Sequence, residues 1–134
     1  MTKNLVKNNI LFFSPYFYPY ISGITTYPHY LLPKLGANIQ VLTFPHSTGL
    51  AHQEKIDGMD IVRMPYLFKI TKGYISPQSI LYYLKYLQSC DIVFLNIPNV
   101  EGLPLAILAW LMGKPIMAIY HCEIHPQNNL FSRF

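Results

Sequence analysis

Charge is the scarcest resource in this sequence. Asp, Glu, Lys and Arg make up 12% of the 134 residues, against 51% hydrophobic and 15% aromatic. A chain so lean in charge and so rich in apolar groups buries a core, which excludes intrinsic disorder. Cysteine is nearly absent: Cys90 and Cys122 stand apart without CxxC spacing, which speaks against a disulfide framework and for a reducing compartment. Long apolar runs are missing too. The greasiest stretch, residues 103–112, is about half a membrane span and contains Pro104, so no transmembrane segment is expected. Residues 1–8 are too polar for a secretory signal, and the expected location is cytoplasmic. Neither GxGxxG nor GxxxxGKS/T occurs, which removes two common nucleotide-binding fingerprints.

Acids are unevenly spread. None falls between Asp60 and Asp91, where Arg63, Lys69, Lys72 and Lys85 all lie, and the formal net charge is +4. Two readings are open: a surface that favours lipid headgroups or phosphates, with peripheral contact to the inner face of a membrane, or a solvated face that merely aids solubility. The cations form no dense cluster and no nucleic-acid motif accompanies them, so nucleic acid is not an expected partner. The length allows about one domain with an ordinary core, and the high apolar content raises the expectation of a partner surface.

Apolar runs alternate with helical patterns. Residues 10–14 read as a buried strand. Residues 23–35 read as a helix on Ile24, Tyr27, Leu31, Leu32 and Leu35, with Pro28 in about its first turn and Pro33 ending or kinking it. Residues 39–44 are a second β-rich run, and strand, helix, strand predicts a right-handed crossover between parallel strands. Residues 45–55 are polar and loop-like, and Asp57-Gly58 predicts a tight turn before a short extra strand over 59–64. Ser76-Pro77 predicts an N-cap followed by proline at the first helical position, launching a helix over 78–89. Residues 91–95 and 115–120 read as strands around a helix over 102–112, with Gly113 where a C-cap belongs. The pattern predicts an α/β, doubly wound, mostly parallel, Rossmann-like sheet. Residues 121–134 read as a loop and the first turns of a helix with nothing after it, so the expected domain is incomplete at its C-terminus.

Chemistry concentrates at the start. Asn9-Ile10-Leu11-Phe12-Phe13-Ser14 runs into the aromatic, Pro-containing loop 15–21 and then Ser22-Gly23. In open α/β sheets ligands collect at the carboxyl ends of strands, and a helix N-terminus there offers N–H groups to an anion. Gly23, without a Cβ, admits close backbone approach to a diphosphate, and Ser22 adds a hydroxyl; the competing reading is that Gly23 only makes the turn into the helix. His121 follows a predicted strand at the same sheet end, where an imidazole either donates to a bound hydroxyl or phosphate or finds a backbone partner. Tyr16, Tyr18 and Tyr20 are ligand-contact candidates or loop packing, whereas Tyr82, Tyr83, Tyr86 and Cys90 are expected in the core. Asn96 and Asn99, just past a strand, are placed to hydrogen-bond a bound ligand. His121 and His125 are not expected to hold a metal, because Pro126 restricts His125 and the HExxH order is missing.

Three blocks carry a family resemblance. Ser14-Pro15-Tyr16-Phe17-Tyr18-Pro19-Tyr20-Ile21-Ser22-Gly23-Ile24 is similar to a strand, a Pro-containing loop and Gly-Gly-Ile or Gly-Gly-Val opening a helix. Asp91-Ile92-Val93 through Pro98, with Gly102 to Ala106 and Gly113-Lys114-Pro115, is similar to a DIV, P, G, A, GKP series. Tyr120-His121-Cys122-Glu123-Ile124 is similar to a YHSDI segment. In this order, across nearly the whole chain, they resemble the N-terminal half of a GT-B fold, family 4 (retaining) glycosyltransferase. This group contains lipid mannosyltransferases and sucrose-phosphate synthases. The chain departs from the pattern at Ser22 for the first glycine, at Ala37-Asn38 for Gly-His, and at Cys122-Glu123 for Ser-Asp.

The resemblance implies one Rossmann-like acceptor-side domain over residues 1–134, with the C-terminal nucleotide-sugar-binding domain absent. It implies transfer of a sugar, with retention, from a nucleotide-sugar to a glycan or lipid-linked acceptor in cell-envelope glycan biosynthesis, and no turnover by this polypeptide alone. Ser22, Gly23 and Ile24 then meet the donor diphosphate, His121 is the catalytic residue beside the donor sugar, and Tyr16, Asn96 and Glu123 serve the acceptor. The nucleotide-sugar is a co-substrate; no cofactor and no metal is implied. The alternative is a noncatalytic Rossmann-like binding module or partner subunit that assembles with a separate donor-binding domain.

Overall fold

Four consecutive residues, Ile10, Leu11, Phe12 and Phe13, are all buried, because the first strand lies inside a sheet covered on both faces. The structure, a computed structural model, describes residues 8–20, 22–71, 73–97 and 100–120, leaving aside the side chains at positions 23, 24 and 120. Its strands are β1 (Asn9–Phe13), β2 (Asn38–Thr43), β3 (Gln53–Ile56), β4 (Met59–Arg63), β5 (Phe68–Ile70), β6 (Gly73–Ile75), β7 (Ile92–Ile97) and β8 (Ile116–Tyr120). Its helices are α1 (Gly23–Leu31), α2 (Ser79–Leu87) and α3 (Leu103–Leu111).

Six strands form one sheet in the order β3-β4-β2-β1-β7-β8, parallel at every pairing except the antiparallel β3–β4 edge. This α/β, mostly parallel architecture agrees with the fold class read from the sequence and is compatible with a Rossmann-like arrangement. From β1 the chain moves outward through β2 to β4 on one side, then returns to build β7 and β8 on the other. The order therefore reverses between β1 and β7, a topological switch point where open α/β sheets bind ligands.

Strand alternation sorts the core into two layers. Leu11, Phe13, Leu42, Val62, Val93 and Leu95 share one cluster with Tyr83 and Leu87 of α2 and Leu105 and Ala109 of α3. Ile10, Phe12, Ile39, Val41 and Ile61 share the other with Phe17 and Leu32. Each large side chain sealed this way contributes about 1.5–3 kcal/mol. As expected, Tyr83 and Cys90 are buried, and Tyr82 and Tyr86 pack against the first cluster.

Local chemistry explains the element ends. α1 stops at Leu31 and tightens into a 3-10 turn over Leu32–Leu35, which places Pro33 near its start and matches the expected break. Asp57 and Gly58 both take positive φ, 49° and 81°, the backbone of a two-residue hairpin turn that glycine supplies without strain. Gly113, at φ 71°, ends α3: its N–H donates to the Trp110 carbonyl and the Lys114 N–H to the Ala109 carbonyl, the pair of bonds that defines a Schellman motif.

Three expectations need correction. Residues 53–55 belong to β3, because pairing with β4 supplies the backbone partners that their polar sequence does not advertise. Ser76 is not the N-cap of α2. Gln78 is, without a side-chain cap bond, and the Ser76 hydroxyl donates instead to the Pro65 carbonyl. Asn96 is not past its strand but inside β7. One element was not foreseen: β5 and β6 form a separate antiparallel hairpin, with Phe68 opposite Ile75 and Lys69 opposite Tyr74.

Candidate functional site

A cleft of about 790 Å³ opens at the switch point. Its floor is the carboxyl end of the central strands: Ser14 follows β1, Phe44 follows β2, and Asn96 and Ile97 close β7. Ser14 and Asn96 are buried, and the Asn96 amide donates to the Ser14 hydroxyl at 3.2 Å. Three helix starts approach it, through Ser22 at α1, Ser79 and Ile80 at α2, and Pro104 at α3.

The Ser22 wall is rigid for a local reason. Ser22 is the N-cap of α1 in a reciprocal capping box: its hydroxyl accepts from the Thr25 N–H at 3.3 Å, and the Thr25 hydroxyl oxygen accepts from the Ser22 N–H at 3.0 Å. Thr25, itself buried, also donates its hydroxyl to the Tyr20 carbonyl, which pins the aromatic loop to the helix it precedes.

Aromatic rings form the next wall. Tyr16 packs on Tyr20 with centroids 4.7 Å apart and on Tyr74 at 5.5 Å; Tyr74 stacks on Phe44 at 4.6 Å. The Lys69 ammonium sits 5.1 Å from the Tyr16 ring centre and 5.0 Å from that of Tyr74, a double cation–π contact at the edge of the cleft. Burial pushes the Tyr74 hydroxyl well above its ordinary range, helped by the hydrogen bond and proximity of Tyr16 and by Tyr66 and Glu101, so it stays protonated and able to donate at neutral pH. Tyr83, under the cleft, is likewise raised by burial, with Ser79 opposing and Glu101 adding to the shift.

Glu101 closes the far side. Its carboxylate accepts from the Tyr74 N–H at 2.9 Å, and its backbone carbonyl accepts from the Tyr83 hydroxyl at 3.0 Å, so hairpin, α2 and the entry to α3 meet at one residue. A Cβ at Gly73 would lie 3.3 Å from that carboxylate, so a larger residue there would push the Glu101 side chain by a few tenths of an ångström.

The structure thus brings together Tyr16, Ser22 and Asn96 around one cleft, with Gly23 and Ile24 as the first residues of the adjoining helix. Tyr20 joins them. Tyr18 does not: it stacks on His29 at 4.4 Å. His121, Glu123, Asn99, Cys122 and His125 lie outside the described residues. Sequence reading missed Ser14, Tyr74 and Glu101. Ser14 and Glu101 each follow a strand at the ligand end of the sheet, a signal available in advance, whereas Tyr74 depends on a hairpin with no strong sequence mark.

One charge is also not where the sequence put it. Arg63 belongs to no basic surface: it is 2% exposed and paired with Glu54, and it donates to the carbonyls of Ala51 at 2.9 Å and Tyr18 at 3.1 Å. Among the described residues, no group of three or more His, Cys, Asp or Glu is arranged to hold a metal ion, and no helix is long and apolar enough to cross a membrane.

Compared with family models, curated proteins and solved structures, the chain finds no match. Fold and site together define a class: an α/β protein with a mostly parallel six-stranded sheet and an aromatic-walled cleft at its switch point.

Proposed function

We propose that this chain is the acceptor-side portion of a retaining glycosyltransferase, moving a sugar from a nucleotide-sugar to a glycan or lipid-linked acceptor. The observation that carries the reading is the cleft itself. Its volume falls within the range of about 300–1,000 Å³ found for small-molecule sites, it lies at the switch point, and the capped start of α1 forms one wall. The first N–H groups of a helix have no partner within it. Since the Ser22 hydroxyl takes the Thr25 N–H, contact with a diphosphate falls to the amides of Gly23 and Ile24, supported by the helix dipole.

The acceptor then lies over Ser14 and Asn96, flanked by Tyr16, with Glu123 contributing by resemblance. His121 is the residue we assign to the donor sugar, on the resemblance alone. The resemblance also assigns the nucleotide to a second doubly wound domain. In the test, this chain is joined to such a donor-binding domain, and release of nucleoside diphosphate is followed across a panel of nucleotide-sugars. Release with one donor supports the reading. None from a folded two-domain protein overturns it.

A second reading is a noncatalytic binding module. Among the described residues the cleft lining holds one carboxylate, Glu101, already engaged by Tyr74, and no His, Lys or Cys, so no nucleophile is paired with a base there. Glycan or nucleotide-sugar binding without turnover, in the presence of the donor domain, selects this reading.

A further inference from the structure

We propose that the edge strand β8 and the outer face of α3 form the interface at which two copies of this chain pair, joining their sheets across a twofold axis. This proposal is independent of sugar transfer.

The two edges of the sheet differ in kind. β3 carries Glu54 and Lys55, with Lys55 paired to Asp60, and charges along an edge discourage pairing with another chain. β8, Ile116-Met117-Ala118-Ile119-Tyr120, has no charge, no proline and no glycine, and among the described residues no strand pairs with its outer side. The outward N–H and C=O groups of such an edge are a template for one more strand. The strand is also complementary to itself. Antiparallel to a second β8 about a twofold axis, Met117 falls opposite Ile119 of the other copy, Ile119 opposite Met117, and Ala118 opposite Ala118. The smallest side chain of the strand then lies on the axis. Ala118 is beside Leu95 and so on the α3 side of the sheet, where it leaves room for the two α3 helices to close over the junction.

α3 supplies the rest of the surface. It packs inward through Leu105 and Ala109. Leu103, Ile107, Trp110 and Leu111, spaced i, i+4, i+7 and i+8, share the opposite face at 57%, 49%, 73% and 66% exposure. A surface helix normally shows polar groups there. Ile116, on the α3 side beside Val93, and Met117, on the other side of the sheet, are 39% and 52% exposed. The short connection 112–115 keeps helix and strand side by side.

Area and charge select a second copy as the occupant. Side chains this large and this exposed offer on the order of 100 Å² each, so these six approach the roughly 800 Å² per partner of a stable interface. Apolar area of that size exceeds what a monomer ordinarily leaves in water. From 102 to 120 the sequence holds one charged residue, Lys114, and its ammonium is turned back to the Cys90 carbonyl at 2.8 Å. In a twofold contact each patch meets itself, so any charge within it meets its like. A chain of net charge +4 therefore pairs with itself through a surface that has none. A partner chosen by opposite charge finds nothing on this face to recognise.

The test is sedimentation velocity of the full chain over a concentration series, with hydrogen exchange read on β8 and β3. The mass is expected to rise from one copy to two, and β8 amides to exchange more slowly as the dimer fills while β3 amides do not change. Met117→Lys sets two ammonium groups across the junction, and Trp110→Ser removes an indole that is 73% exposed. Each should raise the dissociation constant at least about tenfold, with the far-UV spectrum of the monomer unchanged. Leu81→Ser, comparably exposed on α2 at 70%, should leave the constant unchanged. A single-copy mass throughout the series overturns the proposal, as does a dimer whose β8 amides stay unprotected, one that survives both interface variants, or one that Leu81→Ser dissociates.

Discussion

The Arg63 guanidinium ties its own strand to two distant segments, the loop before α1 through Tyr18 and the start of β3 through Ala51 and Glu54. Removing one partner of a buried ion pair leaves the other charge and two carbonyls without their donor. Arg63→Ala should therefore cost about 3 kcal/mol, read as a lower urea midpoint, and Arg63→Lys should rescue little, because an ammonium cannot reproduce the planar fork. His46 offers a test of the local field. Burial, then Arg63, then Lys69 hold its pKa below the ordinary 6.5. The unfolded chain then binds more protons in the window just below 6.5, so stability present above that value falls as pH drops toward the folded pKa. His46→Gln should flatten this part of the pH dependence, and NMR titration should give a His46 midpoint under 6.5; a midpoint above it refutes the assignment.

Among the elements, α1 makes the sharpest prediction. Its capping box orders the loop that walls the cleft, so Ser22→Ala should cost about 1 kcal/mol, while Ser22→Asp keeps an acceptor for the Thr25 N–H and should recover most of it in thermal unfolding. Much at this scale was legible in advance. Apolar runs of three residues or more marked β1, β7 and β8, the β-rich run 39–44 marked β2, Asp57-Gly58 marked the turn before β4, and Gly113 marked the end of α3. Each of these signals is steric and acts within a few residues. The misreadings share the opposite cause. Gln53 to Ile56 is polar enough to pass as loop and becomes a strand only by lying beside β4, and Ser76 has the chemistry of a cap but is drawn to the Pro65 carbonyl by the hairpin.

At the scale of the whole molecule, protection should follow the sheet order. β1 and β2 sit inside the sheet with their amides in ladders on both sides, whereas β3 and β8 are its edges and β5–β6 stands apart as a two-stranded unit. Within a single copy, native-state hydrogen exchange should therefore be slowest in β1, β2 and β7 and fastest in the hairpin and edge strands. Hairpin amides as protected as those of β1 would contradict this order. The same arrangement makes the cleft: Ser14, Phe44 and Asn96 are up to 82 positions apart, and only parallel alignment of their strands sets them side by side.

By itself the sequence determined the alternating strands and helices, the mostly parallel sheet they imply, and the placing of Ser22-Gly23 at a helix start, because side-chain sterics, apolar periodicity and turn backbone act over short stretches of chain. The tertiary structure alone decided that Arg63 is a buried tie and not a surface charge, that Tyr74 and Glu101 complete the cleft, and that α3 and the edge strand β8 share one exposed apolar surface. Those outcomes depend on which distant groups compete for a buried hydrogen bond or a covered face, and that competition is settled only when the strands are assembled.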